Sequence, residues 1–154
     1  TSILMRVCGI DPGANGAICV LDSKDPAHVV LFDLKKATVW GIYGDGAFGY
    51  SMVEFDTFVR HDIPMIAIIG NDSGWTQIAR DQVEIFKDPV ATELGNTKYH
   101  EVVAALGGKG LQITDKKEID DVLNTAKEFA ATGESVAINM KIGETDFRKG
   151  SISI

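Results

Sequence analysis

Asp45 stands inside Gly44-Asp45-Gly46, and Asp72 closes the pair Asn71-Asp72, 27 positions later. Each follows a short apolar run, TVWGIY (38–43) and PMIAIIG (64–70). Carboxylate oxygens are the ligand type that a hard divalent cation such as Mg²⁺ takes. In open α/β sheets, ligands bind in the crevice outside the carboxyl ends of the strands. If the two strands are neighbours, their ends lie about 5 Å apart, or about 10 Å with one strand between them. Either spacing lets two oxygens meet one cation. Gly44 and Gly46 suit a tight turn with exposed backbone N–H groups. A helix expected to begin near Gly49 or Tyr50 would point its positive end at the same place, which favours phosphate. The combination is that of a diphosphate–Mg²⁺ site. A Gly-Asp-Gly turn with no ligand has the same local sequence, and spacing alone leaves both readings open.

The elements that must position these residues alternate between short β-branched runs and amphipathic helices. That pattern reads as α/β with a mainly parallel sheet and helices on both faces. Between the two strands Met52, Phe55, Phe58 and Val59 recur at helical spacing, so 38–70 reads as one right-handed strand–helix–strand crossover. DKKEIDDVLNTAKEFAATG (115–133) is the clearest helix. Asp115 and Glu118 form its start, Gly133 its stop, and Ile119, Val122, Leu123, Ala126, Phe129 and Ala130 its buried stripe. SVAINMKI (135–142) reads as another strand and WTQIARDQVEIF (75–86) as a helix. The segment 87–110 reads as loop, short helix and glycine turn.

At 154 residues the chain reads as a single domain with a real core. A formal charge of −7 argues against a surface built for nucleic-acid phosphates, although a bound metal reverses the local sign around an acidic pocket. Cys8 and Cys19 are too few for a disulfide framework and lack metal-ligand spacing, so both read as buried thiols in a reducing compartment. No apolar run reaches the ~20 residues that cross a membrane. No targeting signal is read, and Thr1 in place of Met leaves open a segment upstream. The compartment is therefore open, with the cytoplasm as the default.

GDGAFGYSMVEFDTFVRHDIPMIAIIGND followed by GWTQIARDQ resembles the thiamine-diphosphate-binding motif of the acetolactate-synthase superfamily. The likeness is above all to its acetolactate-synthase-like and 2-hydroxyacyl-CoA lyase branch. YHEVVAALGGKG and IGETDFRKGSISI are similar to the same branch, so the resemblance runs from about residue 36 to the end. It implies a thiamine-diphosphate-binding fold, with thiamine diphosphate and Mg²⁺ as cofactors. It further implies cation ligands at Asp45, Asp72 and the backbone carbonyl of Gly74. The family usually has Asn at the middle position, and a slip of one register would bring in Asn71. Asp72 as a ligand would neutralise the cation better but set one more negative charge against the diphosphate. By the same resemblance Gly46 and Ala47 offer N–H groups to the diphosphate beside Gly44, and Trp75 lies over it. Trp75 as an ordinary core or interface aromatic is the alternative. Phe147, Arg148 and Lys149 resemble a C-terminal segment that can cover the substrate; taken alone they read as an exposed basic tail. His61 falls at the far end of its helix and reads as a surface or capping residue, while His100 suggests base catalysis only at first sight.

In such enzymes a Glu on a separate pyrimidine-binding domain, usually of a neighbouring subunit, activates the cofactor. Nothing in this sequence corresponds to that domain. The resemblance thus implies the cofactor-binding domain of a C–C lyase or carboligase acting on 2-keto acids or 2-hydroxyacyl-CoA. It would be incomplete as a catalyst alone and would work in a homo-oligomer or with a separate pyrimidine-binding domain. Residues 1–35 are atypical: after GIDPGANG, the stretch AICVLDSKDPAHVVLFDL reads as two β-strands. RVCGIDPGANGAICVLD resembles the first hairpin of Holliday-junction-resolvase-like, RNase H-fold nucleases, with Asp11 as a metal ligand. Two-metal nucleases need further carboxylates, which cannot be placed here. Two alternatives stand beside the cofactor reading: that nuclease, and a degenerate domain that only pairs with a partner.

Overall fold

The computed structural model describes residues 6–11, 17–22, 25–29 and 38–143, the first three segments as backbone strands. These strands, β1 (Arg6–Asp11), β2 (Ala17–Asp22) and β3 (Asp25–Val29), form an antiparallel sheet in that order. The two strands expected after GIDPGANG are therefore present. Cys8 is in register with Val20 and Cys19 with Gly9, so the cysteines do not face each other across the hairpin.

The rest of the chain builds a parallel sheet. Strand β4 (Val39–Gly44) leads into the single-turn helix α1 (Asp45–Gly49), followed by α2 (Glu54–Arg60) and β5 (Met65–Asn71). Then come α3 (Thr76–Phe86), α4 (Tyr99–Ala105), β6 (Lys109–Ile113), α5 (Ile119–Ala131) and β7 (Val136–Lys141). The strand order is β4-β5-β7-β6, and every neighbouring pair is parallel. Met65, Ile66, Ala67 and Ile69 of β5 and Val136, Ala137 and Ile138 of β7 are buried whichever face they point to, as the inner strands of a doubly covered sheet must be.

Two cores follow from this. On one face Phe48, Phe55, Tyr99 and Val103 pack on Met65, Ala67, Ile69 and Ala137. On the other, Ala126 and Ala130 of α5 pack on Ile66, Ile113, Val136 and Ile138. Burying one such large apolar side chain contributes roughly 1.5–3 kcal/mol. The α5 start is closed as its sequence requires: the Asp115 side chain accepts from Lys117 N–H, and Glu118 accepts from the Thr114 and Asp115 N–H groups. Gly133 ends it at φ +91°.

Three expectations need correction. The helix after Gly-Asp-Gly starts at Asp45, not near Gly49 or Tyr50. The helix read from Met52, Phe55, Phe58 and Val59 begins only at Glu54, so Met52 lies before it. The expected glycine turn near 107–110 runs into the edge strand β6, too short for periodicity to reveal. No helix among the described residues is long and apolar enough to cross a membrane.

Candidate functional site

Strands β4 and β5 are direct neighbours, with Gly44 in register with Gly70. Asp45 therefore leaves the sheet beside Asn71, the last residue of β5, and Asp72 comes next. Asp45 is the first residue of α1 and only 1 % exposed. Phe48, one turn on, anchors that helix by edge-on contacts with Tyr43 and Tyr99 and a tilted contact with Phe55. Such aromatic pairs add ~0.5–1.5 kcal/mol each beyond their buried area.

The Asp45 carboxylate reaches across to the second loop. Its Oδ1 accepts from Gly46 N–H (2.9 Å) and its Oδ2 from Gly74 N–H (3.2 Å). Burial raises its pKa above the ordinary carboxylate value, the Asp72 charge pushes the same way, and the backbone N–H groups of Gly46, Gly74 and Ser73 oppose them. Asp72 accepts from Thr76 Oγ1 (2.6 Å). Among the described residues no basic side chain bonds to either carboxylate, and no described N–H donates to the Gly74 carbonyl outside the helices and strands. The charge of Asp72 raises the proton affinity of Asp45, and these two carboxylates with the Gly74 carbonyl two residues on make up an oxygen donor set of the kind that suits Mg²⁺.

Asn71 has a different position from Asp72. It is fully buried, and its Nδ2 donates to Thr97 O (3.0 Å) and Asn139 Oδ1 (3.0 Å). Its Oδ1 accepts from Ser73 N–H (3.1 Å) and from the Ser73 hydroxyl (3.4 Å). The loop itself is clamped on 92–97: Trp75 N–H donates to Thr92 O (2.7 Å) and Leu94 N–H to Ser73 O (2.8 Å).

Trp75 lies against α1. A Cβ on Gly46 would sit 2.6 Å from Trp75 Cε2, so glycine is required there by close approach of the indole. Tyr50 makes a tilted contact with the indole, with ring centroids 5.5 Å apart. Ala47 is exposed beside it, and Gly44 has open space around its Cα. His61 caps α2, exposed, and His100 lies in α4. Asp11 ends β1. Phe147, Arg148 and Lys149 lie outside the described residues.

Sequence reasoning missed Asn96, Thr97, Asn139 and Lys141, which fasten the loop after β5. Lys141 Nζ donates to Asn96 Oδ1 (2.5 Å) and to Ser73 Oγ (3.4 Å). The signal was present: SVAINMKI is a third strand of the same sheet, so its polar C-terminal residues also belong to the ligand edge.

Comparison with known proteins places this arrangement. The family described as thiamine pyrophosphate enzyme, C-terminal TPP binding domain, matches residues 12–140. The chain is 45 % identical over 147 residues to human 2-hydroxyacyl-CoA lyase 2, covering 94 % of this chain and 23 % of that protein. The figures for the mouse protein are the same. It is 32 % identical over 136 residues to the acetolactate synthase large subunit of Mycobacterium tuberculosis, covering 86 % of this chain and 24 % of that one. Among solved structures, a thiamine diphosphate-dependent 4-hydroxybenzoylformate decarboxylase of Rhodococcus jostii RHA1 superposes with a TM-score of 0.62 at 15 % identity. It covers 73 % of this chain and 21 % of that one. The benzoylformate decarboxylase of Polynucleobacter necessarius gives 0.60 at 18 %, over 72 % and 20 %. These two likenesses show the fold, including the parallel sheet expected from sequence. The family match begins at residue 12, well before the expected start near 36, and the chain spans about a quarter of the length of the curated relatives it matches.

Proposed function

The chain belongs to the thiamine pyrophosphate enzymes, as their C-terminal cofactor-binding domain, and from that premise we propose that Asp45, Asp72 and the Gly74 carbonyl hold a Mg²⁺ ion that anchors the cofactor's diphosphate. The observation that carries the reading is the Asp45–Gly74 hydrogen bond, which brings the ends of two adjacent strands together at a donor set of two carboxylates and one carbonyl. Asp72 is favoured over Asn71 as the ligand because every polar atom of the Asn71 amide already has a partner in the core.

Each residue has a definable task. Asp45, desolvated and repelled by Asp72, regains favourable interaction when a cation comes between them. Gly46 and Ala47, in the first turn of α1, present backbone N–H groups toward the diphosphate, although the Gly46 N–H is shared with Asp45 Oδ1. Trp75, packed on Gly46 and flanked by Tyr50, shields this face from water. Bound thiamine diphosphate supplies the carbanion chemistry, and the domain supplies binding and orientation.

The whole enzyme is proposed to be a lyase or carboligase that cleaves or forms C–C bonds in 2-keto acids or 2-hydroxyacyl-CoA. The relatives that support this are a 2-hydroxyacyl-CoA lyase and an acetolactate synthase. It would need a pyrimidine-binding domain, on the same protein or on a partner subunit. Trp40 and Ile42 on β4 and Ile78, Ile85 and Phe86 on α3 are exposed apolar side chains, and α3 buries none of its residues, which suits a domain packed against others.

Calorimetric titration of thiamine diphosphate, with and without Mg²⁺, tests the reading. Mg²⁺-dependent binding that disappears in Asp45→Ala is the expected result. Binding equal in both proteins, or indifferent to Mg²⁺, would reject these residues as the cation site.

A further inference from the structure

The turn that carries Asp72 and Gly74 holds Ser73 at φ +65°, in the left-handed region that a non-glycine residue occupies at a cost. Such a conformation persists only where the surroundings over-determine it. Around Ser73 they do. Its N–H donates to Asn71 Oδ1, its carbonyl accepts from Leu94 N–H, and its hydroxyl meets both Asn71 Oδ1 and Lys141 Nζ.

Lys141 is the charged residue of this set, and among the described residues its charge has no counterpart. It is the last residue of β7, in register with Asn71, and is half-buried. Its ammonium bonds to two neutral oxygens, Asn96 Oδ1 and Ser73 Oγ, which lie on two different loops. Among the described residues it forms no ion pair, whereas Lys98 and Lys109 each pair with a glutamate. Ordering a lysine side chain costs up to ~2 kcal/mol in rotamer freedom. Charge-assisted hydrogen bonds at both ends of a clamp offset that cost.

We propose that Lys141 is a positioning residue for the cation site: by tying Ser73 to Asn96 from the end of β7, it fixes the turn that carries Asp72 and the Gly74 carbonyl and that is held to Asp45 through the Gly74 N–H. The proposal rests on the cofactor reading above and adds a consequence for selectivity. Mg²⁺ demands near-ideal octahedral geometry, whereas Ca²⁺ accepts loose and irregular sites. A rigid turn therefore discriminates for Mg²⁺, and a loosened one loses that preference.

The test compares the whole chain with Lys141→Met, which keeps the apolar stem, and Lys141→Arg, which keeps the charge. Amide exchange is read first on cation-free protein. Gly74, Trp75 and Leu94 are expected to exchange at least tenfold faster in Lys141→Met and near the original rate in Lys141→Arg, with α5 amides unchanged. Unchanged exchange in the turn overturns the proposal, and so does equal acceleration in α5, which would make Lys141 a residue of general stability. Mg²⁺ and Ca²⁺ are then titrated in the presence of thiamine diphosphate. The Mg²⁺-over-Ca²⁺ preference is expected to fall about tenfold in Lys141→Met, and an unchanged preference overturns the positioning role. If the unsubstituted chain binds no cofactor under either cation, the cofactor reading fails. The exchange arm, which needs no cofactor, still decides whether Lys141 holds the turn.

Discussion

The indole of Trp75 rests on the backbone of Gly46, so closely that a methyl group at position 46 would lie 2.6 Å from the ring. A loop that follows β5 is thereby seated on the helix that follows β4. The two halves of the proposed diphosphate site meet at this contact and at the hydrogen bond from Gly74 N–H to Asp45.

Gly46→Ala should break it. The ring must move, and overpacking of this kind costs ~1–3 kcal/mol. Because Trp75 N–H and Gly74 N–H hold the same loop, the displaced ring should carry Gly74 away from Asp45. Weaker thiamine diphosphate binding, by tenfold or more, is expected together with a changed Trp75 fluorescence spectrum. Trp75→Ala in the Gly46→Ala background should restore stability but not affinity, which a double-mutant cycle would read.

Asn71 and Asp72 should separate into structure and binding. Asn71→Ala strips partners from Asn139 Oδ1, Thr97 O and Ser73 N–H, and each buried group left unsatisfied costs ~1–3 kcal/mol. A melting temperature lower by at least ~5 °C is expected. Asp72→Ala removes one bond, to Thr76 Oγ1, so its melting temperature should change little while Mg²⁺ affinity falls tenfold or more. The opposite pattern would assign the cation to Asn71.

Tyr99 should make the fold sensitive to alkali. Burial holds its phenol above the ordinary value near 10, the Asp45 charge adds to this, and a hydrogen bond with the Thr97 side chain opposes it. The folded state thus binds the phenolic proton more tightly than the unfolded state. That contribution to stability is complete below pH 10 and is lost as pH rises through the folded-state value. Chemical denaturation between pH 9 and 11 should show a fall in stability that is shallower in Tyr99→Phe.

Gly110→Ala should weaken the fold without touching the site. A methyl group there would run into the His100 carbonyl, where α4 crosses β6, and backbone cannot swing aside as a side-chain end can. A loss of ~1–3 kcal/mol in urea unfolding is expected, with Mg²⁺ affinity unchanged.

Much of this was legible along the chain. β5 reads as a strand because its apolar residues are continuous, and α5 as a helix because the capping pair Asp115 and Glu118 precedes an apolar stripe and Gly133 ends it. These signals lie within one element, where a residue's neighbours in space are also its neighbours in sequence. The two aspartates were legible because each sits one position past its strand, and parallel pairing brings strand ends to one edge.

Other features were decided only by the assembled fold. Whether Asn71 or Asp72 faces the site depends on bonds from Asn71 to Thr97 and Asn139, 26 and 68 positions away. The need for glycine at 46 comes from an indole on another loop, and the role argued for Lys141 from an asparagine 45 positions back. Local pattern reports which face of an element is apolar. It carries no record of which distant polar group will satisfy a buried amide, because that partner is selected when the strands align. The sequence by itself determined β4, β5, β7, α3 and α5 and the two carboxylates at the sheet edge. The tertiary structure decided which neighbouring atoms are already bonded, and so which are left for a ligand.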